Sequence, residues 1–144
     1  MKAVRVHDFG GPEVLVYEDV PDPTPGPGEA LVKMAIIGVN FSDTHTRNGS
    51  SNRPRPVVPG HEGTGTIVAL GDGVADSRFK VGDRVVFAGQ HNIGTYKELM
   101  ALPVDQLVPV PSEIDSKLAV AAMNQGQTAY YLVHEAYPVQ PGDK

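Results

Sequence analysis

The sequence predicts a mainly β fold, and two observations carry this prediction. From Lys2 to Leu107 the chain is a series of short apolar runs that are broken by turn residues, a spacing typical of β-sandwiches and β-barrels. Its 16 glycines and 13 prolines make 29 of 144 residues, about a fifth of the chain, against a usual share of roughly an eighth. So many turn formers argue against a helical bundle.

The first two strands are expected to form a hairpin. Residues 3–7 alternate apolar and polar side chains, as a strand with one buried face does. Residues 9–12 (FGGP) then turn the chain, so residues 14–20 should return beside the first strand. Residues 21–28 hold four prolines and two glycines, and this segment should run extended over the surface without joining a sheet.

The longest β-like run covers residues 30–39. We expect it to be buried on both faces near its end, because residues 35–37 are consecutively apolar. Later segments that read as strands are residues 66–70, residues 81–87 with a Gly-Asp turn at their start, residues 94–100 and residues 107–111.

The C-terminal part of the chain predicts helices instead. Ser112 is expected to be the N-cap of a first helix with acidic residues in its first turn, and residues 118–123 continue that helix. Gly126 interrupts the pattern, and residues 128–136 form a second helical stretch that ends before a proline. Residues 140–144 (QPGDK) are turn residues of the kind that precede a further strand.

Composition excludes several classes of function. The 12 Lys and Arg against 17 Asp and Glu give a net charge of −5, so a basic nucleic-acid-binding module is not expected. The chain has no cysteine, which excludes disulfides, thiolate nucleophiles and cysteine-bound zinc or iron–sulfur clusters. The sequence shows neither a signal peptide nor a run of 18 apolar residues, and we expect a soluble, cytoplasmic protein that does not bind membranes.

Three polar segments are candidates for chemistry, and each has a purely structural alternative. Residues 40–47 (NFSDTHTR) gather amide, carboxylate, imidazole and guanidinium groups after the long strand, unless Ser42 or Asp43 only caps a short helix. Residues 60–65 (GHEGTG) place an imidazole beside a carboxylate in a glycine-rich turn, where the histidine could instead bond to the backbone. Residues 124–131 (NQGQTAYY) suit a polar ligand or the open ends of two helices. Three further histidines stand alone in the sequence: His7, His91 and His134.

Five motifs occur in an order that is typical of one family. They are residues 10–15 (GGPEVL), 38–44 (GVNFSDT), 59–65 (PGHEGTG), 81–85 (VGDRV) and 125–130 (QGQTAY). With these motifs the chain resembles, over essentially all of its length, the N-terminal catalytic domain of the medium-chain dehydrogenase/reductases. Within that superfamily, the GGPEVL start and the sequence Asn-Phe-x-Asp are similar to those of the zinc-free quinone oxidoreductases, the zeta-crystallin-like branch.

The resemblance implies a GroES-like, partly open β-barrel with short helices and a C-terminal linking helix. In the family a Rossmann domain that binds NADPH follows. Residues 1–128 would then be the GroES-like domain, and residues 129–144 would start the linking helix and the turn toward a Rossmann domain that these 144 residues do not include. We therefore expect the chain to be inactive alone and to form a homodimer when full length.

The resemblance also bears on zinc. In the zinc alcohol dehydrogenases of the same superfamily, two cysteines and a histidine hold the catalytic metal, at positions that correspond to Asn40, His61 and Asn124 here. Asn is a poor zinc ligand because its carbonyl stays neutral, whereas a thiolate supplies charge. The structural zinc of that family needs a cysteine-rich lobe, and the short step from His91 to residues 94–96 leaves no room for one. We expect no bound metal.

Without zinc, the implied chemistry is direct hydride transfer from NADPH to a small quinone or enone, whose oxygen needs only a hydrogen bond or a proton. The residues implied to border the nicotinamide and its ribose are Asn40, Phe41, Asp43, Thr44, His45, Thr128 and Tyr131. Among them Asn40, Asp43 and His45 would be the catalytic residues. His45 departs from the family, which commonly has Tyr there, and its imidazole is a candidate proton donor.

Two other functions are kept open. One is an enoyl-thioester reductase of the same superfamily, whose pocket would have to admit a long acyl chain. The other is a non-catalytic barrel that is used for binding or assembly.

Overall fold

The computed structural model describes residues 1–74, 78–89 and 93–143, and within these ranges the chain is mainly β, as predicted. The strands are β1 (Lys2–Val6), β2 (Leu15–Asp19), β3 (Glu29–Ile37), β4 (Glu62–Leu70), β5 (Arg84–Ala88), β6 (Leu99–Pro103) and β7 (Val108–Pro109). β1 and β2 form one sheet, and the described part of the second sheet has the order β6-β3-β4-β5-β7. In the part of the chain that the structure describes, the two sheets do not close into a complete barrel.

The predicted N-terminal hairpin is confirmed. β1 and β2 are antiparallel, with Val4 opposite Tyr17 and Val6 opposite Leu15. A short 3₁₀ turn at Pro12–Val14 lies between the two strands. Proline suits the first position of such a turn, because its φ is already fixed and no hydrogen-bond acceptor is available there for an N–H.

The main core anchors the strands of the larger sheet. Its buried apolar side chains are Ala30, Val32, Ile67, Phe79, Val85, Phe87, Met100, Leu102 and Leu107. Burial of such side chains is the dominant favourable contribution to folding. This core fixes β3, which precedes the polar segment 40–47, and β4, which begins within the polar segment 60–65.

The end of β3 differs from the prediction of burial on both faces. Ala35 is exposed, and Ile36 and Ile37 are only half-buried. β6 pairs with β3 only as far as Lys33, and the register against β4 shifts between Met34 and Ile36. Ala35 is therefore the extra residue of a β-bulge, which turns it out of the ladder.

The segment 60–65 is not a turn throughout, because β4 already begins at Glu62. Gly63 and Gly65 lie within the strand. A Cβ on Gly65 would lie 2.2 Å from the carbonyl oxygen of Lys33. These glycines therefore serve the close approach of β3 to β4 and not a reversal of the chain.

The strand expected over residues 94–100 begins later, at Leu99. Ahead of it, the backbone N–H of Tyr96 donates to the carbonyl of Pro59 at 3.0 Å, and Lys97 forms an isolated bridge with Ala3. Ahead of Leu99 the chain thus bonds to the segment before β4 and to β1. This path brings the Tyr96 side chain beside the start of β4.

The helices are α1 (Phe41–Asn48), α2 (Ser116–Ala121) and α3 (Gln127–Tyr131). π-helical turns at Ala122–Gly126 and Leu132–Ala136 extend α2 and α3, so the chain is helical from Ser116 to Ala136. No helix in the described ranges has the length and apolar composition needed to cross a bilayer.

Two predictions about the C-terminal helices are wrong. The N-cap is Asp115 and not Ser112, because the Asp115 carboxylate accepts from the backbone N–H of Lys117 at 2.8 Å. Gly126 does not interrupt the helix and has helical dihedral angles of −67° and −43°. A single glycine costs a helix only about 1 kcal/mol relative to alanine, which the flanking turns overcome. Residue 144 of the predicted C-terminal turn lies outside the described residues.

Candidate functional site

α1 starts directly after β3, and Asn40 is its N-cap residue. The backbone N–H of Asn40 donates to Oδ2 of Asp43 at 2.9 Å, and the N–H of Asp43 donates to the carbonyl of Asn40 at 3.0 Å. Asn and Asp are favoured at helix starts because they satisfy N–H groups that the helix leaves open. At the other end, Gly49 ends α1 in the left-handed conformation with φ 90°.

Asp43 is a buried carboxylate, 6% exposed, on which two side chains from distant segments converge. Its Oδ1 lies 2.7 Å from Nδ1 of His61, and its Oδ2 accepts from the hydroxyl of Tyr96 at 2.9 Å. An ionised carboxylate only accepts, so Nδ1 carries the hydrogen and Nε2 of a neutral ring is then an acceptor. Asp43 therefore fixes both the position and the tautomer of His61.

Tyr96 is held in its neutral form by the same carboxylate. Burial, and secondarily the hydrogen bond to Asp43, raise the pKa of Tyr96 above its usual value. Both causes disfavour a phenolate, since it would be poorly solvated and would face another negative charge. Tyr96 is thus a persistent hydrogen-bond donor to Asp43.

Glu62 is a second buried carboxylate, 1% exposed, and it is surrounded by amides. Oε1 accepts from Nδ2 of Asn40 at 2.9 Å and from Nε2 of Gln125 at 3.1 Å, while Oε2 accepts from the backbone N–H of Asn124 at 3.3 Å. Within residues 1–74, 78–89 and 93–143 we find no ion pair to Glu62. Among the described residues, the donors to its carboxylate are two side-chain amides and one backbone N–H. Gly38 leaves room for it, because a Cβ there would lie 2.2 Å from Oε1.

Asn40 joins the two carboxylates into one network. Its backbone binds Asp43, its amide nitrogen binds Glu62, and its Oδ1 accepts from Nδ2 of Asn124 at 3.0 Å and Nε2 of Gln125 at 3.1 Å. The loop before α1 and the C-terminal helix are therefore tied together at this residue. We call Asn40, Asp43, His61, Glu62, Tyr96, Asn124 and Gln125 the amide–carboxylate cluster.

The other residues implied by the resemblance lie around this cluster with fewer contacts. Phe41 is 80% exposed, and its ring meets His45 edge to face at 5.4 Å. The Thr44 hydroxyl donates to the Phe41 carbonyl at 2.6 Å. Thr128 donates to the carbonyl of Asn124 at 2.7 Å, one helical turn from the cluster. Tyr131 is 58% exposed and lies seven residues after Asn124, on the same helical face.

The purely structural roles that were considered for residues 40–47 and 60–65 are present only in part. Asp43 does bond at the start of a short helix, and it also contacts His61 and Tyr96. The His61 side chain bonds to the Asp43 carboxylate, which is not the backbone contact that the alternative expects. His7 pairs with Glu18 at 2.8 Å. His134 lies beside the ring of Tyr130, and His91 lies outside the described residues.

Sequence reasoning missed the parts of the cluster that come from β-segments. The sequence marks Glu62 only as the carboxylate beside His61, and Tyr96 only as part of the expected strand over residues 94–100. In a strand that begins at residue 62, the Glu62 side chain lies beside glycine and threonine positions that are expected to be buried. A carboxylate without an ion pair is rarely found at a buried position. That was the one local signal for Glu62. No local signal marks Tyr96.

The three positions that correspond to zinc ligands do not suit zinc here. Asn40 and Asn124 hydrogen-bond to each other through their side-chain amides, and His61 is bonded to Asp43. A neutral amide is a weak ligand beside thiolate or imidazole. Within the described ranges no group of three or more His, Asp or Glu side chains is arranged to hold a metal.

The comparisons with known proteins agree with this architecture. Residues 26–112 match the family model of the alcohol dehydrogenase GroES-like domain. A quinone oxidoreductase of Pseudomonas aeruginosa is 41% identical over 99% of this chain, and a 2-haloacrylate reductase of a Burkholderia species is 36% identical over 98%. The crystal structure of an Escherichia coli quinone oxidoreductase complexed with NADPH superimposes with a TM-score of 0.91 at 33% identity, over 99% of this chain.

The match covers only part of each relative. This chain spans 43% of the length of all three relatives. The resemblance that the five motifs indicate is confirmed. The chain therefore belongs to the alcohol dehydrogenase GroES-like domain family, as a catalytic domain of the quinone oxidoreductase branch of the medium-chain dehydrogenase/reductases.

Proposed function

We propose that this chain supplies the acceptor side of the active site in an NADPH-dependent oxidoreductase that reduces quinones or enones without zinc. The observation that carries the proposal is the amide–carboxylate cluster, in which Asn40 is hydrogen-bonded to both buried carboxylates. Three cluster residues, Asn40, His61 and Asn124, correspond to the zinc ligands of related enzymes. In this proposal, hydrogen bonds from the cluster take the place of the metal. The relative that was solved with NADPH supports the choice of dinucleotide.

The residues present suit a nicotinamide ring. Phe41 offers an exposed aromatic face, and the neighbouring amides and hydroxyls can bond to a carboxamide or a ribose. The bound dinucleotide would supply the hydride. The residues of this chain would hold it against the acceptor, in the set given above: Asn40, Phe41, Asp43, Thr44, His45, Thr128 and Tyr131.

Zinc is dispensable in this scheme because of the acceptor's own chemistry. A quinone or an enone is already electron-poor, so it accepts hydride at carbon and afterwards needs only a proton at oxygen. His45 is exposed on α1 and, in this proposal, delivers that proton. The 2-haloacrylate of one relative is likewise an α,β-unsaturated carbonyl compound, which supports acceptors of this class.

The test is NADPH oxidation by the full-length gene product with 1,4-benzoquinone and with 2-cyclohexen-1-one. We expect turnover with at least one of them and none with residues 1–144 alone, since pyrophosphate held at a Rossmann helix supplies much of dinucleotide affinity. Crotonyl thioester as the only acceptor would favour the enoyl-thioester alternative. Full-length protein without any NADPH oxidation would leave the binding-module alternative and refute the proposal.

Three variants test the assigned residues in that protein. Asn40→Ala and Thr128→Ala should each lower kcat/KM by about tenfold to a hundredfold, because positioning carries much of the rate of a hydride transfer. His45→Phe should change the pH dependence of kcat if the imidazole delivers the proton. Steady-state kinetics across pH decides, and unchanged turnover in all three variants would remove the site assignment.

The division at residue 128, the homodimer and the cytoplasmic location stay predictions.

A further inference from the structure

A small pocket lies along one face of α1, and Asn40, Asp43 and Tyr96 of the amide–carboxylate cluster line it. It has a volume of about 130 Å³. Asn40, Asp43, Thr44 and Arg47 contribute one wall, with the three- and four-residue spacing of a single helical face. The opposite wall is formed by Leu15, Val39, Pro59 and Tyr96.

Arg47 is the unusual residue of this pocket. Its Nε is buried and has no hydrogen-bond partner among the described residues. It is also the one cation among the residues that line the pocket. A buried N–H without an acceptor has lost its water and gained nothing in return, so an acceptor brought by a ligand would relieve that cost.

Asp43 does not fill this role, although it lines the same pocket. Asp43 lies 2.7 Å from His61, and among the described residues no ion pair joins Asp43 to Arg47. Both Asp43 oxygens already accept hydrogen bonds, from His61, Tyr96 and the backbone of Asn40. The carboxylate is thus committed to the cluster, and Nε of Arg47 still lacks an acceptor among the described residues.

We infer that this pocket binds the carboxylate of an anionic acceptor, with the Arg47 guanidinium as its charge partner. The inference rests on the proposed function and adds α,β-unsaturated acids to the quinones and enones as acceptors. A guanidinium matches a carboxylate with parallel N–H donors. Leu15, Val39 and Pro59 give the pocket an apolar side, which suits the carbon atoms next to the carboxylate. The volume suits a carboxylate and the atoms next to it.

The first test uses the full-length gene product and inert probes. Propionate is titrated against the protein by NMR with propionamide, its neutral isostere, as the control. We expect saturable binding of propionate that Arg47→Gln weakens at least about tenfold, and that Arg47→Lys, which keeps the charge, weakens less. Arg53→Gln is the matched control variant, because Arg53 lines a different pocket. This measurement needs no activity, so it stands even if the proposed function fails.

The second test uses turnover. KM is compared for 2-chloroacrylate and for its methyl ester, which differ in charge but share the reacting double bond. In Arg47→Gln the ratio of KM for the acid to KM for the ester should rise at least about tenfold, and in Arg53→Gln it should stay unchanged. Equal changes for acid and ester, or propionate binding that is absent or insensitive to Arg47, overturn the inference. If Arg47→Gln does not fold, Arg47→Lys and the propionate–propionamide comparison on the parent protein decide.

Discussion

Removal of the Asp43 carboxylate should destabilise the protein more than removal of an exposed carboxylate with an ion pair of the same length. Asp43→Ala takes the acceptor away from His61, Tyr96 and the backbone of Asn40 at once. A hydrogen bond to a charged group is worth about 1.5–3 kcal/mol, and a buried donor that is left without an acceptor costs about 1–3 kcal/mol. Because the three bonds share one group they do not add, and we expect a loss of about 3–5 kcal/mol in the free energy of unfolding.

The control is Asp19→Ala. Asp19 pairs with Lys2 at 2.7 Å, the same distance as Asp43 to His61. The Asp19 side chain is 79% exposed and the Asp43 side chain is 7% exposed, and Asp43 also accepts from Tyr96 and from the backbone of Asn40. Exposed pairs contribute little because water and salt screen them. Asp19→Ala should therefore leave the free energy of unfolding nearly unchanged.

Urea unfolding of both variants and the parent protein measures the two losses. Asp43→Asn adds a variant of nearly equal volume, and we expect an intermediate loss because its amide oxygen can still accept from Tyr96. Equal, small losses in Asp43→Ala and Asp19→Ala would refute the reasoning that Asp43 organises the cluster.

Two further predictions concern the same region. Gly38→Ala should lower the free energy of unfolding by about 1–3 kcal/mol, because its Cβ would displace the Glu62 carboxylate. Gly126→Ala should raise the free energy of unfolding by about 0.5–1 kcal/mol, because Gly126 is helical and a Cβ has room there. Thermal unfolding checks both variants, and a stabilising Gly38→Ala would contradict the packing of Glu62 against Gly38. The raised pKa of Tyr96 means that folding favours its neutral form, so the stabilisation is complete below the usual tyrosine pKa of about 10 and is lost as pH rises through the folded value. In an alkaline titration followed by tyrosinate absorbance, Tyr96→Phe should remove absorbance that develops above the usual tyrosine pKa of about 10. Loss of absorbance below that pKa would show that the contact with Asp43 is absent.

The strands were predictable because their signals are local. Alternation in residues 3–7 and the turn at residues 9–12 lie within one hairpin, and the structure confirms them. The errors come from tertiary context. The apolar end of β3 lacks its second neighbour beyond Lys33, and Gly126 stays helical because residues on both sides continue the helix.

The candidate site was predictable only in part. The segment that starts α1 was singled out because it concentrates polar groups in a few positions. The contacts that organise it join Asn40 to Glu62, Asn124 and Gln125 across separations of 22, 84 and 85 residues. No spacing rule reaches over such distances, since the sheet and the C-terminal helix must fold before these side chains meet. Tyr96 escaped notice for the same reason.

The most direct test of the central claim, zinc-independent reduction at the amide–carboxylate cluster, is one measurement on the full-length gene product without a purification tag. The protein is dialysed against a chelator, its zinc content is determined by elemental analysis, and NADPH oxidation with the better acceptor is measured on the same sample. We predict no stoichiometric zinc and undiminished turnover, because amides hold the positions where related enzymes carry thiolates. One zinc per chain that survives dialysis, or turnover that disappears with the metal and returns with it, would contradict the account.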